Sequence, residues 1–191
     1  MKYLKLTVIA FLAGTMHSSA QFKLPVNTSI RNDFQKIVSE YTHNFANITG
    51  QVINENPQST EYASQIKLGD AEQCVVTRYS SGSKAIYSWQ ALMFVTEDFE
   101  QASKKYKWLF NQLKGTNVYY VRDQYSLKGT FEPADESRGF TTSTLSISAP
   151  PAPLEKLKVE VELLFEFPEW KVSVSIYEKE REDYERGEIA D

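Results

Sequence analysis

The stretch 96–115 constrains the fold more than any other part of the chain, because its pattern predicts an amphipathic helix. Thr96 is a favoured N-cap residue, and Gly115 can adopt the left-handed conformation that often ends a helix. Apolar residues recur between them at spacings of three and four, which places them on one face. They are Phe99, Ala102, Tyr106, Leu109, Phe110 and Leu113. Such a face needs another element to cover it, and strand-like segments lie on both sides of it in the sequence.

A second amphipathic helix is predicted earlier in the chain, from Asn27 or Thr28 to about Phe45. Its apolar residues show the same spacing and share one face. They are Ile30, Phe34, Ile37, Val38, Tyr41 and Phe45. His43 falls nearly opposite this stripe, which predicts that its imidazole faces solvent.

Strand-like segments with hairpin-length connections follow each helix. After the first helix they cover residues 48–54, 61–68, 73–79 and 85–95, and after the second 117–122, 126–131 and 140–148. The segment 85–95 is apolar on both faces, with Phe94 grouped with Ile86 and Leu92, so we expect a central, covered strand. These meanders indicate an α+β fold in which two amphipathic helices pack on one side of an antiparallel, meander-rich sheet.

The segment 157–176 has the clearest alternation in the chain and predicts a hairpin with one face buried and one in water. Its apolar positions are Leu157, Val159, Val161, Leu163, Phe165, Phe167, Trp170, Val172, Val174 and Ile176. A two-residue turn at positions 168 and 169 would fix the register of the two strands. The facing pairs would then be Phe165 with Val172, Leu163 with Val174, and Glu166 with Lys171.

Residues 1–20 have the pattern of a secretory signal peptide. Lys2 and Lys5 precede an apolar run, and Ala20 ends a run of small residues that fits the cleavage rule. We therefore expect a signal peptide at 1–20, a single α+β domain at 21–178 and a charged, solvated tail at 179–191. Cys74 is the only cysteine, and an exported domain without disulfides is more typical of the bacterial envelope. Cleavage near Ala20 predicts a periplasmic or extracellular protein.

The charge of the chain limits its partners. Removal of residues 1–20 takes away Lys2 and Lys5 and no acidic residue, so the net charge changes from −4 to −6. An acidic protein is poorly suited to nucleic acid or to an anionic membrane surface. No segment outside the signal is apolar for long enough to span a bilayer, so no transmembrane segment is expected in the mature chain.

The sequence offers few residues for catalysis, and we expect no metal site and no cofactor. His43 is the only histidine left after cleavage, and Cys74 lies in a strand where cysteine is usually a small buried hydrophobe. An acidic loop with Glu132, Asp135 and Glu136 leaves open a carboxylate-based hydrolase.

Trp108 is the residue that points most directly to a binding site. On a helical wheel it lies about 145° from the centre of the apolar stripe of 96–115. It is flanked there by Lys104, Asn111 and Gln112. Tryptophan is favoured at the centres of interfaces, so these four residues are the predicted binding surface. The alternative is that the first helix or the C-terminal tail covers the indole.

Three functions remain open from the sequence. The first is an exported, non-catalytic module that binds an unknown protein, peptide or envelope component. The second is a carrier of small apolar ligands with a cavity between the sheet and its helices. The third is the carboxylate-based hydrolase, which would need two close carboxyl groups, one of them with a raised pKa.

Overall fold

The computed structural model describes residues 28–81 and 84–178 of the chain. The predicted signal peptide at 1–20 and the predicted charged tail at 179–191 lie outside the described residues. Within the described ranges, the chain forms two α-helices and nine β-strands.

The helices are α1, Thr28–Ser39, and α2, Phe99–Leu113. The first four strands lie between them: β1, Thr49–Asn56; β2, Ser59–Ser64; β3, Gln73–Ser81; and β4, Lys84–Thr96. Five strands follow α2: β5, Asn117–Tyr120; β6, Asp123–Lys128; β7, Phe140–Ile147; β8, Leu157–Glu166; and β9, Glu169–Glu178.

All nine strands belong to one antiparallel sheet with the order β1-β2-β3-β4-β9-β8-β7-β6-β5. Each run of strands forms a meander, and the two meanders join where β4 pairs with β9. The α+β fold and its antiparallel sheet, predicted from the hairpin-length connections, are confirmed. The segment 85–95 was expected to be central, and β4 does lie near the middle of the sheet.

The buried face of the sheet carries the alternating apolar residues of its middle strands. Side chains with no more than 2% exposure come from β4, β8 and β9: Trp89, Ala91, Met93, Leu157, Val159, Val161, Leu163, Val172, Val174 and Ile176. The helix α2 contacts these same three strands, and α1 contacts α2 and β5. Tyr106 of α2 shows how closely the layers meet, because its hydroxyl lies 2.6 Å from the Oγ of Ser143 on β7.

Both helices differ from their predicted limits. The N-cap of α2 is Asp98, whose carboxylate accepts a hydrogen bond of 3.1 Å from the main-chain N–H of Gln101. Thr96 was predicted to be the N-cap, but it ends β4. The first helix ends at Ser39 and is followed by a 3-10 turn at Glu40–His43. Asn44 and Phe45 then have left-handed backbone conformations, so no helix continues to the predicted limit near Phe45. Phe45 is still fully buried.

The last hairpin has a different register from the predicted one, and its predicted buried face is exposed next to the turn, at Phe165 and Phe167. Phe165 lies opposite Trp170 and Leu163 lies opposite Val172, so the predicted pairs are wrong by two residues. The reason is the turn, which consists of Phe167 and Pro168 between the paired residues Glu166 and Glu169.

A β-bulge in β4 corrects the predicted position of Phe94. The pairing of β4 with β9 shifts between Leu92 and Phe94, so that Leu92 lies opposite Ser173 and Phe94 lies opposite Val172. Since Val172 is buried, the bulge turns Phe94 to the buried face, whereas strict alternation had grouped it with Leu92.

Two strands are displaced from their predicted ranges. The second strand ends at Ser64 rather than at position 68, and residues 67–72 form a loop in which Gly69 has a positive φ of 53°. The sixth strand begins at Asp123 rather than at position 126. Across the part of the chain that is described, none of the helices combines the length and apolarity needed to cross a bilayer.

Candidate functional site

The helix α2 carries a second stripe of residues beside its apolar one. This stripe also shows spacings of three and four, so its residues share a face next to the buried face. They are Gln101, Lys104, Lys105, Trp108 and Asn111. Together with residues from the neighbouring elements they line a surface groove of about 690 Å³, which we call the α2 groove. Its lining residues are Phe94, Gln101, Lys104, Lys105, Lys107, Trp108 and Asn111.

Two aromatic side chains supply the apolar part of the α2 groove. Phe94 comes from β4 by way of the bulge, and Trp108 comes from the middle of α2. Both are partly buried and pack against the hydrophobic core. The indole nitrogen of Trp108 is buried and has no hydrogen-bond acceptor within the described residues. A buried donor without a partner is uncommon in proteins and marks a place where a ligand or solvent can supply one.

Lys105 connects the two aromatic rings to the loop before β3. Its ammonium lies 4.7 Å from the centroid of the Trp108 ring, 6.0 Å from that of Phe94, and 3.1 Å from a carboxylate oxygen of Asp70. A cation at this distance from an indole is attracted by the ring. The side chain of Lys105 is only 16% exposed, whereas that of Asp70 is 72% exposed.

The loop that presents Asp70 is anchored by the beginning of α1. Gly69 has a positive φ of 53°, which L residues rarely adopt, and Ile30 of α1 packs against it so closely that a Cβ there would lie 3.5 Å from Ile30. One turn beyond Trp108 on α2, the main-chain carbonyl of Gln112 accepts a hydrogen bond from Arg31. The first turns of α1 therefore support one end of the α2 groove.

Among the described residues, the lining of the α2 groove carries three ammonium groups and no carboxylate. Lys104 forms an ion pair of 3.3 Å with Glu100, but both side chains are more than 70% exposed, so the pair contributes little stability. Lys107 lies with its ammonium 5.9 Å from the ring centroid of Phe131. The groove is thus locally cationic on a chain whose formal net charge is −4.

The structure brings together three of the four residues predicted for binding. Lys104, Trp108 and Asn111 line the α2 groove. Gln112 does not, since its side chain is 7% exposed and its amide oxygen is buried with no hydrogen-bond partner from the described residues. Sequence reasoning missed Phe94, Gln101, Lys105 and Lys107. The second stripe on α2 signals Gln101 and Lys105, whereas no local signal marks the bulge that delivers Phe94.

The residues considered for nucleophilic chemistry are in unremarkable surroundings. His43 is exposed, as predicted, and its Nδ1 lies 3.8 Å from Glu40. Burial raises the pKa of the Cys74 thiol, which disfavours the reactive thiolate.

The carboxylates of the acidic loop serve the local backbone. Asp135 accepts hydrogen bonds from both the N–H and the hydroxyl of Ser137, and these bonds lower the pKa of its carboxyl group. Arg138 lies 3.4 Å from Glu132 and 3.8 Å from Asp135. A carboxyl group that acts as a general acid needs a raised pKa. Because the pKa of Asp135 is lowered, this residue is unsuited to act as a general acid.

Two further surface features were not predicted. A cleft of about 310 Å³ lies beside Tyr41. Burial and the charge of Glu178 raise the pKa of the Tyr41 phenol to about 12. An ion pair of 3.2 Å joins Lys156 to Glu178 in the same cleft. At the turn of the last hairpin, Phe165 is 39% exposed and Phe167 is 89% exposed. The α2 groove is larger than the cleft and combines aromatic rings with charge.

Comparisons with family models, with curated proteins and with solved structures find no match to this chain.

Proposed function

We propose that the chain is an exported, non-catalytic binding module that holds a protein, peptide or envelope component in the α2 groove. The observation that supports this most is the place of Trp108, whose ring lines the α2 groove while its buried indole N–H has no acceptor in the described part of the chain. Aromatic anchors surrounded by polar groups are the usual centres of interfaces.

The architecture we propose for the module has both helices on the buried face of the sheet. Two contacts favour it. Arg31 of α1 reaches the main chain of α2 at Gln112, and Tyr41, just after α1, lines the same cleft as Tyr87 of β4. Tyr87 lies two residues before Trp89 on β4, so its side chain is on the same face as that of the buried Trp89. The opposite face, with its serine, threonine and glutamate side chains, would then have no helix over it.

The proposed setting is the periplasm or the outside of the cell, after cleavage near Ala20. The basic residues, apolar run and small residues of 1–20 support export. We also propose that residues 21–178 form a single domain, because one sheet joins elements from both ends of the described chain.

The two other functions have weaker support. A carrier of small apolar ligands needs an apolar pocket, and a volume of about 690 Å³ would suffice, but three lysines and two side-chain amides line the α2 groove. A carboxylate-based hydrolase finds no raised pKa at Asp135 in the acidic loop, and Glu162, whose carboxyl pKa is raised by burial, lines neither the α2 groove nor the cleft beside Tyr41.

The test is the replacement of Trp108 by alanine. We expect the variant to lose capture of a partner that the wild-type chain retains from an envelope extract, with the partner identified by mass spectrometry. Because the indole is only partly buried, the cost in stability should stay below the roughly 3 kcal/mol of a full core truncation. The matched control is Tyr119→Ala, which removes an exposed ring on β5. Equal capture by both variants would rule out the groove as the site.

A further inference from the structure

We infer that the ligand of the α2 groove is an acidic peptide segment, bound in an extended conformation with an apolar side chain against Trp108 and Phe94. This inference rests on the proposed function, since it names the class of ligand for the same site. Charge, hydrogen bonding and length of the groove each support it.

The charge of the lining selects an anion. Lys104, Lys105 and Lys107 face the groove from a single helix, and no carboxylate within residues 28–81 and 84–178 lines it. Asp70 and Glu100, which pair with two of these lysines, are both more than 70% exposed, so a ligand carboxylate can compete with them. Because the rest of the chain is acidic, a short anionic segment is favoured over a long polyanion that would extend beyond the groove.

The two amides select a peptide rather than a simple anion. Gln101 and Asn111 are the first and last residues of α2 in the lining, and each side chain offers both a donor and an acceptor. A peptide main chain presents N–H and C=O groups that match such amides, whereas a bare carboxylate or phosphate uses only their donors.

The dimensions of the groove agree with a segment of a few residues. Gln101 and Asn111 are ten residues apart on α2, which corresponds to about 15 Å along a helix axis. An extended peptide rises about 3.3 Å per residue, so four or five residues would fill this length. Side chains at alternate positions of such a segment would point towards the rings and towards the lysines.

The experiment follows the indole N–H resonance of Trp108 in the full chain by NMR, with the signal identified by its loss in Trp108→Phe. The probes are three synthetic peptides: acetyl-Glu-Phe-Glu-Phe-Glu-amide, its Gln analogue and its Lys analogue. We expect the Glu peptide to shift the Trp108 resonance and to bind about tenfold more tightly than the Gln peptide. The Lys peptide should leave the resonance in place. Raising the salt concentration from about 0.01 M to about 0.1 M should weaken binding of the Glu peptide more than binding of the other peptides.

Variants then separate charge from shape. The double substitution Lys104→Gln and Lys107→Gln should weaken the Glu peptide about fivefold and leave the Gln peptide unchanged. Lys128→Gln, which removes an exposed lysine of β6 outside the groove lining, should change neither affinity.

Several outcomes would overturn the inference. Equal affinity for the Glu and Gln peptides would show that the groove does not select acidic peptides. If no peptide moves the Trp108 resonance while Trp108→Ala still loses the envelope partner, the ligand class is wrong and the proposed function stands. If no peptide moves the resonance and Trp108→Ala also captures the partner as well as wild type does, the ligand class and the proposed function both fail. A Trp108 shift that grows with protein concentration alone would assign the groove to a second copy of the chain. Binding of the Glu peptide only after removal of residues 21–27 would assign it to that segment.

Discussion

Glu162 of β8 is a carboxylate held in partly buried surroundings on the face of the sheet opposite the core. Thr142 lies opposite it on β7 and Ser173 lies opposite it on β9. Burial raises the pKa of its carboxyl group, and the charges of Glu160 and Glu166 act in the same direction, while a hydrogen bond with Ser173 opposes them. The ionised form is therefore less favourable in the folded protein than in the unfolded chain.

Replacement of Glu162 by glutamine should stabilise the protein at neutral pH. A raised folded-state pKa means that the folded chain binds the proton more tightly, so this contribution to stability is full below the unfolded pKa and is lost as pH rises through the folded value. Glu162→Gln removes the ionisable carboxyl group, so this stability is no longer lost as pH rises. The glutamine amide can still form a hydrogen bond with Ser173. The variant should melt at a higher temperature than wild type near pH 8, and this difference should shrink as the pH is lowered to 3. A variant that is less stable than wild type at neutral pH would contradict the assignment.

The residues of the α2 groove show how far single positions could be predicted. The helical wheel placed Lys104, Trp108 and Asn111 on a common face, and all three line the groove, because this depends only on the helical repeat. Gln112 is buried because α1 packs beside it, which is a long-range contact. Phe94 reaches the groove through a β-bulge, and period-two alternation contains no signal for an inserted residue.

At the level of elements, the last hairpin shows why faces are easier to predict than register. Side chains alternate with a period of two, so a shift of two residues leaves every face unchanged while every partner changes. Apart from Phe165 beside the turn, the apolar positions of β8 and β9 that were predicted to be buried are buried for this reason. Lys171 pairs with Glu166 even though the register places it opposite Leu164, so an ion pair could not have decided between the two registers.

Neighbouring leucines of β8 allow a matched test of these faces. Leu163 is 1% exposed on the buried face, whereas Leu164 is partly exposed on the other. We expect Leu163→Ala to lower the free energy of unfolding by about 2–4 kcal/mol, because it leaves a cavity in the core. Leu164→Ala should cost about 1 kcal/mol, since less apolar surface is lost from burial. Urea denaturation followed by fluorescence gives both values, and equal losses would show that both faces are covered.

At the scale of the whole molecule, the meanders were predictable and their junction was not. Hairpin turns are local, so the sequence indicates which strands are consecutive neighbours. The pairing of β4 with β9 joins strands that lie far apart in the chain, and it depends on the fit of two buried faces. Trp89 opposite Ile176 and Ala91 opposite Val174 belong to this junction, and all four are fully buried. The order of strands follows from that fit, for which no short sequence pattern exists.

This junction predicts that the chain, divided between Glu97 and Asp98, can be rebuilt from two fragments. Residues 21–97 alone would expose Trp89 and Ala91, and residues 98–191 alone would expose Val174, so neither fragment should unfold cooperatively. The helices also cross the division, since α1 contacts β5 and α2 contacts β4. An equimolar mixture should regain the circular dichroism and cooperative melting of the intact chain. Val174→Asp in the second fragment should prevent this, because it buries an unpaired carboxylate in the junction. Cooperative melting of either fragment alone would show instead that each meander folds independently.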